Sequence, residues 1–338
     1  MKLKKKYIIG THVMFYEIEA LKDFVQSYKN AMDEVENKEN VTFELFYNMS
    51  EMFETIDTDQ ISRAELLGKY DNICEDLEKN GYPITRVIYE DSKPYSIGSY
   101  RRELNDKGCD YNDFVIWGET DMLFPKELFQ AIETVSDYAT QQNIHRYCLT
   151  FAVRKMWGDD WKVLEHNDFT NSKFTEMHDN LWQNDPSSIW YPMSIDEMNK
   201  VNDKSEEFDI NIIDHPRFDG SGLVISSDLI QNGINIPRAV WACGEDTSFQ
   251  NMIKIIMGNA YRQFIIKNIL KVHNRNHPNK REYIKGESHM KGKSVKTKRN
   301  TNEIWQIVHK LSENNLHNLG PKQSKFNKFE DINPFITL

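Results

Sequence analysis

The chain has 338 residues, 39% of them apolar and 28% charged, with a formal net charge of −10. That composition belongs to a soluble globular protein with ample material for a core. No run approaches the ~20 apolar residues that a membrane helix needs. The basic start, Met1 to Lys6, is soon followed by Glu17 and Glu19 with no small-residue cleavage site, so the expectation is an uncleaved cytoplasmic protein with no membrane partner.

Tyr7-Ile8-Ile9-Gly10-Thr11-His12 reads as a first strand ending in a loop. Glu17 to Met32 has helical spacing, with Ile18, Leu21, Val25 and Tyr28 on one stripe. Val41 to Tyr47 is a second strand, stopped by Asn48-Met49-Ser50. Glu51 to Lys79 is polar with helical patches and reads as an insertion or a helical excursion. Arg86 to Tyr89 is a short third strand, and Tyr95 to Lys107 a helix. Phe114 to Trp117 is an apolar run that reads as a buried strand and leads into Glu119 and Asp121. A helix over Lys126 to Tyr138 follows, then a strand over Tyr147 to Val153. This order predicts a mainly parallel sheet with helices on its faces.

Arg154 to Asn211 is rich in aromatics, with Trp157, Trp161, Trp182, Trp190 and Tyr191; it fits either a loop-rich pocket wall or a small aromatic sub-core. His215 to Gly222 is a turn-rich loop, Leu223 to Ser226 a short strand, and Ser248 to Met257 a helix headed by Gly244-Glu245-Asp246-Thr247. Phe264 to Ile266 and Ile269-Leu270 are two further apolar runs. Lys285 to Asn302 is rich in Lys, Gly and Ser and reads as flexible. Asn302 to Leu316 can form a last helix. Cys74, Cys109, Cys148 and Cys243 are far apart, which argues against both a zinc site and a disulfide framework.

Charge is unevenly placed. Residues 254–338 carry 17 Lys/Arg against 6 Asp/Glu, a net +11, so the preceding residues carry a net −21. A basic tail on an acidic body suits phosphates of a nucleotide, a nucleic acid or an anionic glycan; the alternative is a tail folded back on the body.

Three constellations can carry chemistry. Glu119-Thr120-Asp121, at the end of an apolar strand, can present oxygens to Mg2+ or Mn2+, or can be a solvated turn. Gly244-Glu245-Asp246 can supply a general base, or can cap the helix behind it. His273 and His277 can ligate a metal held by upstream carboxylates, or can be surface residues.

In that order, a first-strand loop, a strand ending in Glu-x-Asp, a Gly-Glu-Asp helix start and a downstream His-x-Arg, the chain resembles nucleotide-sugar-dependent glycosyltransferases of the GT-A fold. Glu119-Thr120-Asp121 matches their D-x-D motif with Glu in the first place. Trp241 to Asp246 looks like the W-G-G-E-D motif of the β-1,4-galactosyltransferase group and related inverting enzymes, and Val272-His273-Asn274-Arg275 is similar to that group's metal-binding His segment. His215 to Ile225 sits where the family carries a Gly-containing loop and strand lining the sugar site. The resemblance covers most of Tyr7 to Tyr283 and stops before the tail. Aligned on Gly244-Glu245-Asp246, Cys243 stands for the motif's first Gly, Ala242 for its Trp, and Trp241 lies one place early.

The resemblance implies an α/β, Rossmann-like GT-A domain over residues 1–285, with a nucleotide half (1–125) and an acceptor and sugar half (126–285). A basic C-terminal extension follows over 286–338. It implies a nucleoside-diphosphate sugar as donor and Mn2+ or Mg2+ as cofactor. Asp121 and His273 would ligate the metal, and Glu119 would meet the ribose or the metal through water. Asp246 would be the catalytic base, with Glu245 holding acceptor or sugar hydroxyls. Thr11 and His12 would meet the nucleotide, and Asn48 stands where many members use an Asp against the base. Tyr100, Arg101 and Arg102 would lie near the diphosphate. The reaction implied is a direct displacement with inversion onto a glycan or, given the tail, a modified base in nucleic acid. The competing readings are a sugar nucleotidyltransferase, against which the lack of a Gly-rich phosphate loop near the start argues, and a nucleic-acid-binding protein that uses the tail alone.

Overall fold

The computed structural model describes residues 1–49, 62–90, 95–157, 160–163, 193–213, 220–240, 244–274, 307 and 310–315. Its strands, in chain order, are β1 (Tyr7–Met14), β2 (Val41–Asn48), β3 (Thr85–Tyr89), β4 (Phe114–Gly118), β5 (Met122–Leu123), β6 (Tyr147–Trp157), β7 (Asp160–Val163), β8 (Ile210–Ile213), β9 (Leu223–Ser226) and β10 (Arg262–His273). The helices are α1 (Ile18–Asp33), α2 (Arg63–Lys79), α3 (Ile97–Gly108), α4 (Leu128–Gln141), α5 (Ile195–Asn202), α6 (Ser227–Gln231) and α7 (Glu245–Ile256).

All ten strands belong to one sheet, ordered β3-β2-β1-β4-β9-β6-β10-β5, with β7 on β6 and β8 on β10. The first four strands are parallel, joined by helical crossovers as the alternating sequence predicts. This is the Rossmann-like α/β arrangement expected from the sequence. The second half is more mixed: β9 runs antiparallel to both β4 and β6, while β6 and β10 are parallel.

Helices cover both faces, and the strands alternate between them. Tyr7, Ile9, Phe43, Leu45, Phe114 and Ile116 join one core with Leu21, Phe24 and Tyr28 of α1 and Leu128 and Ile132 of α4. Ile8, Phe46, Val115 and Trp117 join the other with Tyr100 and Leu104 of α3 and Phe249 and Ile253 of α7. Gly10 sets how closely α3 lies on β1: a Cβ there would fall 2.4 Å from Leu104 and 2.5 Å from the Tyr100 hydroxyl. Close seating of α3 brings Arg101 to the end of β4, where it meets Glu119.

Several elements differ from the sequence-based expectation. β1 does not stop in a loop at Thr11 and His12. It continues to Met14, because β2 pairs with it as far as Met14↔Asn48. Within Glu51–Lys79 the helix is Arg63–Lys79, capped by the Ser62 hydroxyl, which accepts from the Glu65 N–H at 3.1 Å; residues 50–61 lie outside the described residues. The two apolar runs after Tyr261 are one strand, β10, whose register shifts between Ile266 and Leu270. There Asn268 accepts from the Asp209 N–H and donates to the Glu207 carbonyl. The aromatic stretch 154–211 contributes β7, α5 and β8, while Trp182, Trp190 and Tyr191 lie outside the described residues. Of the C-terminal extension, residues 310–315 are helical; Ser312 is buried and the Asn315 amide donates to the Ala239 carbonyl at 2.7 Å. That part of the tail rests on the body. Among the described residues, no helix is long and apolar enough to cross a membrane.

Candidate active site

From β1 the chain passes outward to β2 and β3, then returns to lay β4 on the other side of β1. In open α/β sheets ligands bind at such a reversal, beyond the carboxyl ends of the strands. Thr11↔Gly118 is the last pair between β1 and β4, and Glu119-Thr120-Asp121 follows at once. Two residues of β5 then pair with the end of β10, Val272↔Leu123 and His273↔Met122, and the Asn274 N–H donates to the Asp121 carbonyl at 2.6 Å. Backbone pairing thus carries His273 to a turn far from it in sequence.

The result is a compact donor set. One ligand atom from each of Glu119, Asp121 and His273 lies within 4.8 Å of the other two. His273 Nε2 is 2.8 Å from Glu119 Oε2 and 3.4 Å from Asp121 Oδ1. The Asp121 side chain is only 1% exposed, so the solvated-turn alternative does not describe it. Two carboxylates and an imidazole converging at the sheet's edge fit a divalent ion of Mn2+ or Mg2+ type, with the imidazole favouring the softer Mn2+.

Arg101, on α3, links this group to the second motif. It is 1% exposed; Nη1 donates to Glu245 Oε1 at 2.7 Å and Nη2 to Glu119 Oε1. Its guanidinium stacks 4.7 Å from the centroid of the Trp117 ring, itself fixed by an Nε1–H donated to Asn105 Oδ1 at 2.8 Å. Gly244 starts α7 with φ +73°, a left-handed turn that suits glycine and sets Glu245 and Asp246 in the first helical turn. Gly220 passes so close that a Cβ there would be 2.9 Å from Asp246 Cβ and 3.0 Å from Arg101 Nη1. Asp246 Oδ1 accepts from the Thr247 N–H at 2.6 Å. Gly244, the residue at the cap position, makes no side-chain capping bond.

The two carboxyls on Arg101 sit in contrasting fields. Burial pushes Glu119 up, but His273 and Arg101 beside it outweigh that and hold it down at about 2. Burial pushes Glu245 up to about 7, with Asp246 adding to the shift and Arg101 opposing it. Neighbouring acids driven apart in this way are a mark of functional sites.

The remaining sequence candidates divide. Thr11 is fully buried, its hydroxyl on the α1 side of the sheet beside Gly118. His12 lies on the α3 side among Phe46, Tyr95 and Tyr100, and its Nε2 is 3.1 Å from Asn48 Nδ2, which also donates to the Tyr95 carbonyl. Tyr100 turns its hydroxyl to Glu44, 2.9 Å away. Arg102 faces away from Arg101's partners and clamps the carbonyls of Ile236, Pro237 and Val240. Gly220 and Asn274 fall in the two segments that the resemblance sets at the sugar and metal sites, whereas Trp117, read as part of an apolar strand, carries no distinctive signal in the sequence. Trp241, Cys243, Arg275 and His277 lie outside the described residues.

Burial, with Arg101's charge added, pushes His12 down to about 3 from the usual 6.5. The folded protein therefore keeps His12 neutral while the unfolded chain takes up a proton. Its contribution to stability is whole above pH 6.5 and is lost as pH falls toward 3, by up to ~1.4 kcal/mol per pH unit. Urea unfolding between pH 4 and 7 should show this slope in the parent protein, and His12→Gln should lack that part of it whatever its absolute stability.

No family model matches the sequence, and no curated protein matches it. Among solved structures the chain is similar to a crystal structure of S. aureus TarS 1–349, at 13% identity and TM-score 0.41, covering 78% of this chain and 60% of that one. It is also similar to a mycobacterial protein, at 11% identity and TM-score 0.39, covering 81% and 69%. A third likeness is to GalNAc-T7 with UDP, GalNAc and Mn2+, at 10% identity and TM-score 0.44, covering 80% and 44%. This chain thus spans about three-fifths of the TarS structure's length and less than half of GalNAc-T7's. At 10–13% identity and TM-scores of 0.39–0.44, none of these likenesses bears on substrate or mechanism.

Proposed function

We propose that this chain is a metal-dependent, inverting glycosyltransferase of GT-A type, moving a sugar from a nucleoside-diphosphate donor to a glycan hydroxyl. One observation carries the reading: a metal-capable triad, Glu119, Asp121 and His273, is tied through a single buried guanidinium to a helix start that bears Glu245 and Asp246. That is the pair of functions such a displacement needs, cation binding beside a carboxylate base.

Asp121 and His273, with Glu119, would hold the cation, which supplies Lewis acidity toward a departing diphosphate. Asp246 takes the proton from the attacking acceptor hydroxyl. Its Oδ1 is held by the Thr247 N–H, which orients the carboxylate. Glu245, fixed by Arg101, holds a hydroxyl of the acceptor or sugar. Arg101 keeps both motifs at one spacing and spreads positive charge where phosphate oxygens gather. Tyr95, partly exposed and stacked on the buried Phe46, offers a flat face for a nucleobase.

The test is a thermal-shift panel of UDP-, GDP- and CMP-sugars with and without Mn2+. At least one donor should stabilise the protein only when Mn2+ is present, and Asp121→Asn should abolish that shift. Stabilisation that ignores the metal, or that survives Asp121→Asn, would remove the metal triad from the donor site. A panel with no response, together with no Mn2+ binding by calorimetry, would overturn the reading as a whole.

A further inference from the structure

β10 carries a buried cation that the mechanism above does not use. Lys271 is 1% exposed and lies two residues before His273, on the same face of the strand. Leu270 and Val272, on the opposite face, join an apolar cluster with Leu123 and Met198. Burying an ammonium is costly unless hydrogen bonds and counter-charges meet it. A lysine held there despite that cost points to the site rather than the core.

One of its contacts reaches a loop at the site. Lys271 Nζ donates to the carbonyl of Ser221, a residue with no exposed surface. Ser221 is the middle of a three-residue loop pinned at each position. Gly222 has φ +63°, donates its N–H to the Trp117 carbonyl at 2.6 Å, and leaves no room for a Cβ, which would lie 2.7 Å from Met122 Cε. Gly220 lies against Asp246 and Arg101. The loop thus runs from the strand end that bears the triad to the helix start that bears the base.

We propose that Lys271 is a positioning residue, whose ammonium fixes the Gly220–Gly222 loop and through it the placement of Asp246 relative to His273. The role in catalysis rests on the transferase reading; the mechanical role does not. Glycines on both sides of Ser221 make the loop pliant, so a single side-chain donor into its central carbonyl has large leverage.

The experiment uses the full chain with Lys271→Met, which removes the charge at similar volume, and Lys271→Gln, which keeps a weaker donor. Amide hydrogen exchange should accelerate about tenfold or more over residues 220–226 in the Met variant and by a smaller factor in the Gln variant. Exchange in β1 and β4 should stay unchanged. Mn2+ affinity by calorimetry should hold within about twofold, while kcat, measured with whichever panel donor supports transfer, should fall about tenfold with donor KM unchanged. Unchanged exchange over 220–226 overturns the proposal, as does faster exchange that leaves kcat untouched. If the Met variant does not fold, the Gln variant is read by the same criteria. Failure of the transferase reading shows separately, as a donor panel with no response and no Mn2+ binding by calorimetry, and leaves the exchange result standing.

Discussion

Asp246→Asn is expected to lower kcat by about 10²–10⁴-fold, the usual worth of a positioned general base. Donor KM and Mn2+ affinity should change little, because Asp246 stands outside the triad of possible ligands. The substitution keeps size and keeps an oxygen for the Thr247 N–H, so the variant isolates the loss of a proton acceptor. The rival account is that Asp246 serves the helix start alone. Losing a capping residue costs about 0.5–2 kcal/mol of stability and nothing in kcat. The two accounts therefore part in a single pair of measurements: a large fall in kcat at an unchanged urea midpoint supports the base, and a shifted midpoint at unchanged kcat sinks it. Glu245→Gln should behave differently. Glu245 is bonded to the buried Arg101 and only 13% exposed, so its neutralisation should alter stability as well as rate.

What the sequence made legible followed from local patterns. An apolar run ending in two carboxylates marked Asp121, and a Gly-Glu-Asp at a helix start marked Asp246; both signals sit within a few residues. His273 was different. Its partner is chosen by two backbone pairs between β5 and β10, and β5 is only two residues long, too short to be read as a strand. Arg101 and Arg102 show the limit most sharply. They are adjacent and chemically identical, yet a turn of about 100° around α3 sends one to Glu119 and Glu245 and the other to the carbonyls of the 236–240 loop. The resemblance points both at the diphosphate; the seating of α3 against Gly10 decides which one meets Glu119 and Glu245. The basic tail was legible as charge but not as contact, since the bond from Asn315 to Ala239 is made by a neutral amide.

Arg101→Met is expected to destabilise the fold by about 3–5 kcal/mol, the cost of stranding charge in a low-dielectric site. The argument turns on what remains. Arg101 is 1% exposed, and Glu119 and Glu245 are 22% and 13% exposed. Without the guanidinium, Glu119 keeps its contact with His273 Nε2, whereas among the described residues Glu245 keeps only its dipolar surroundings at the head of α7. Trp117 also loses the cation over its ring, worth ~1 kcal/mol or more when desolvated. Two further measurements test this account against simple loss of packing. Above about pH 8, where Glu245 is still ionised, Arg101→Met combined with Glu245→Gln should recover part of the loss, because the second change removes the charge left without a partner; at neutral pH Glu245, freed of Arg101, takes up a proton and the recovery shrinks. Purely additive losses at the higher pH would mean that packing, not charge, is what Arg101 supplies. Excess Mn2+ should raise the midpoint of Arg101→Met by more than it raises that of the parent. A divalent ion and the guanidinium compete for Glu119, so removing one strengthens the hold of the other, and ligand-linked stabilisation grows with affinity. Equal shifts in the two proteins would place the ion elsewhere than at Glu119.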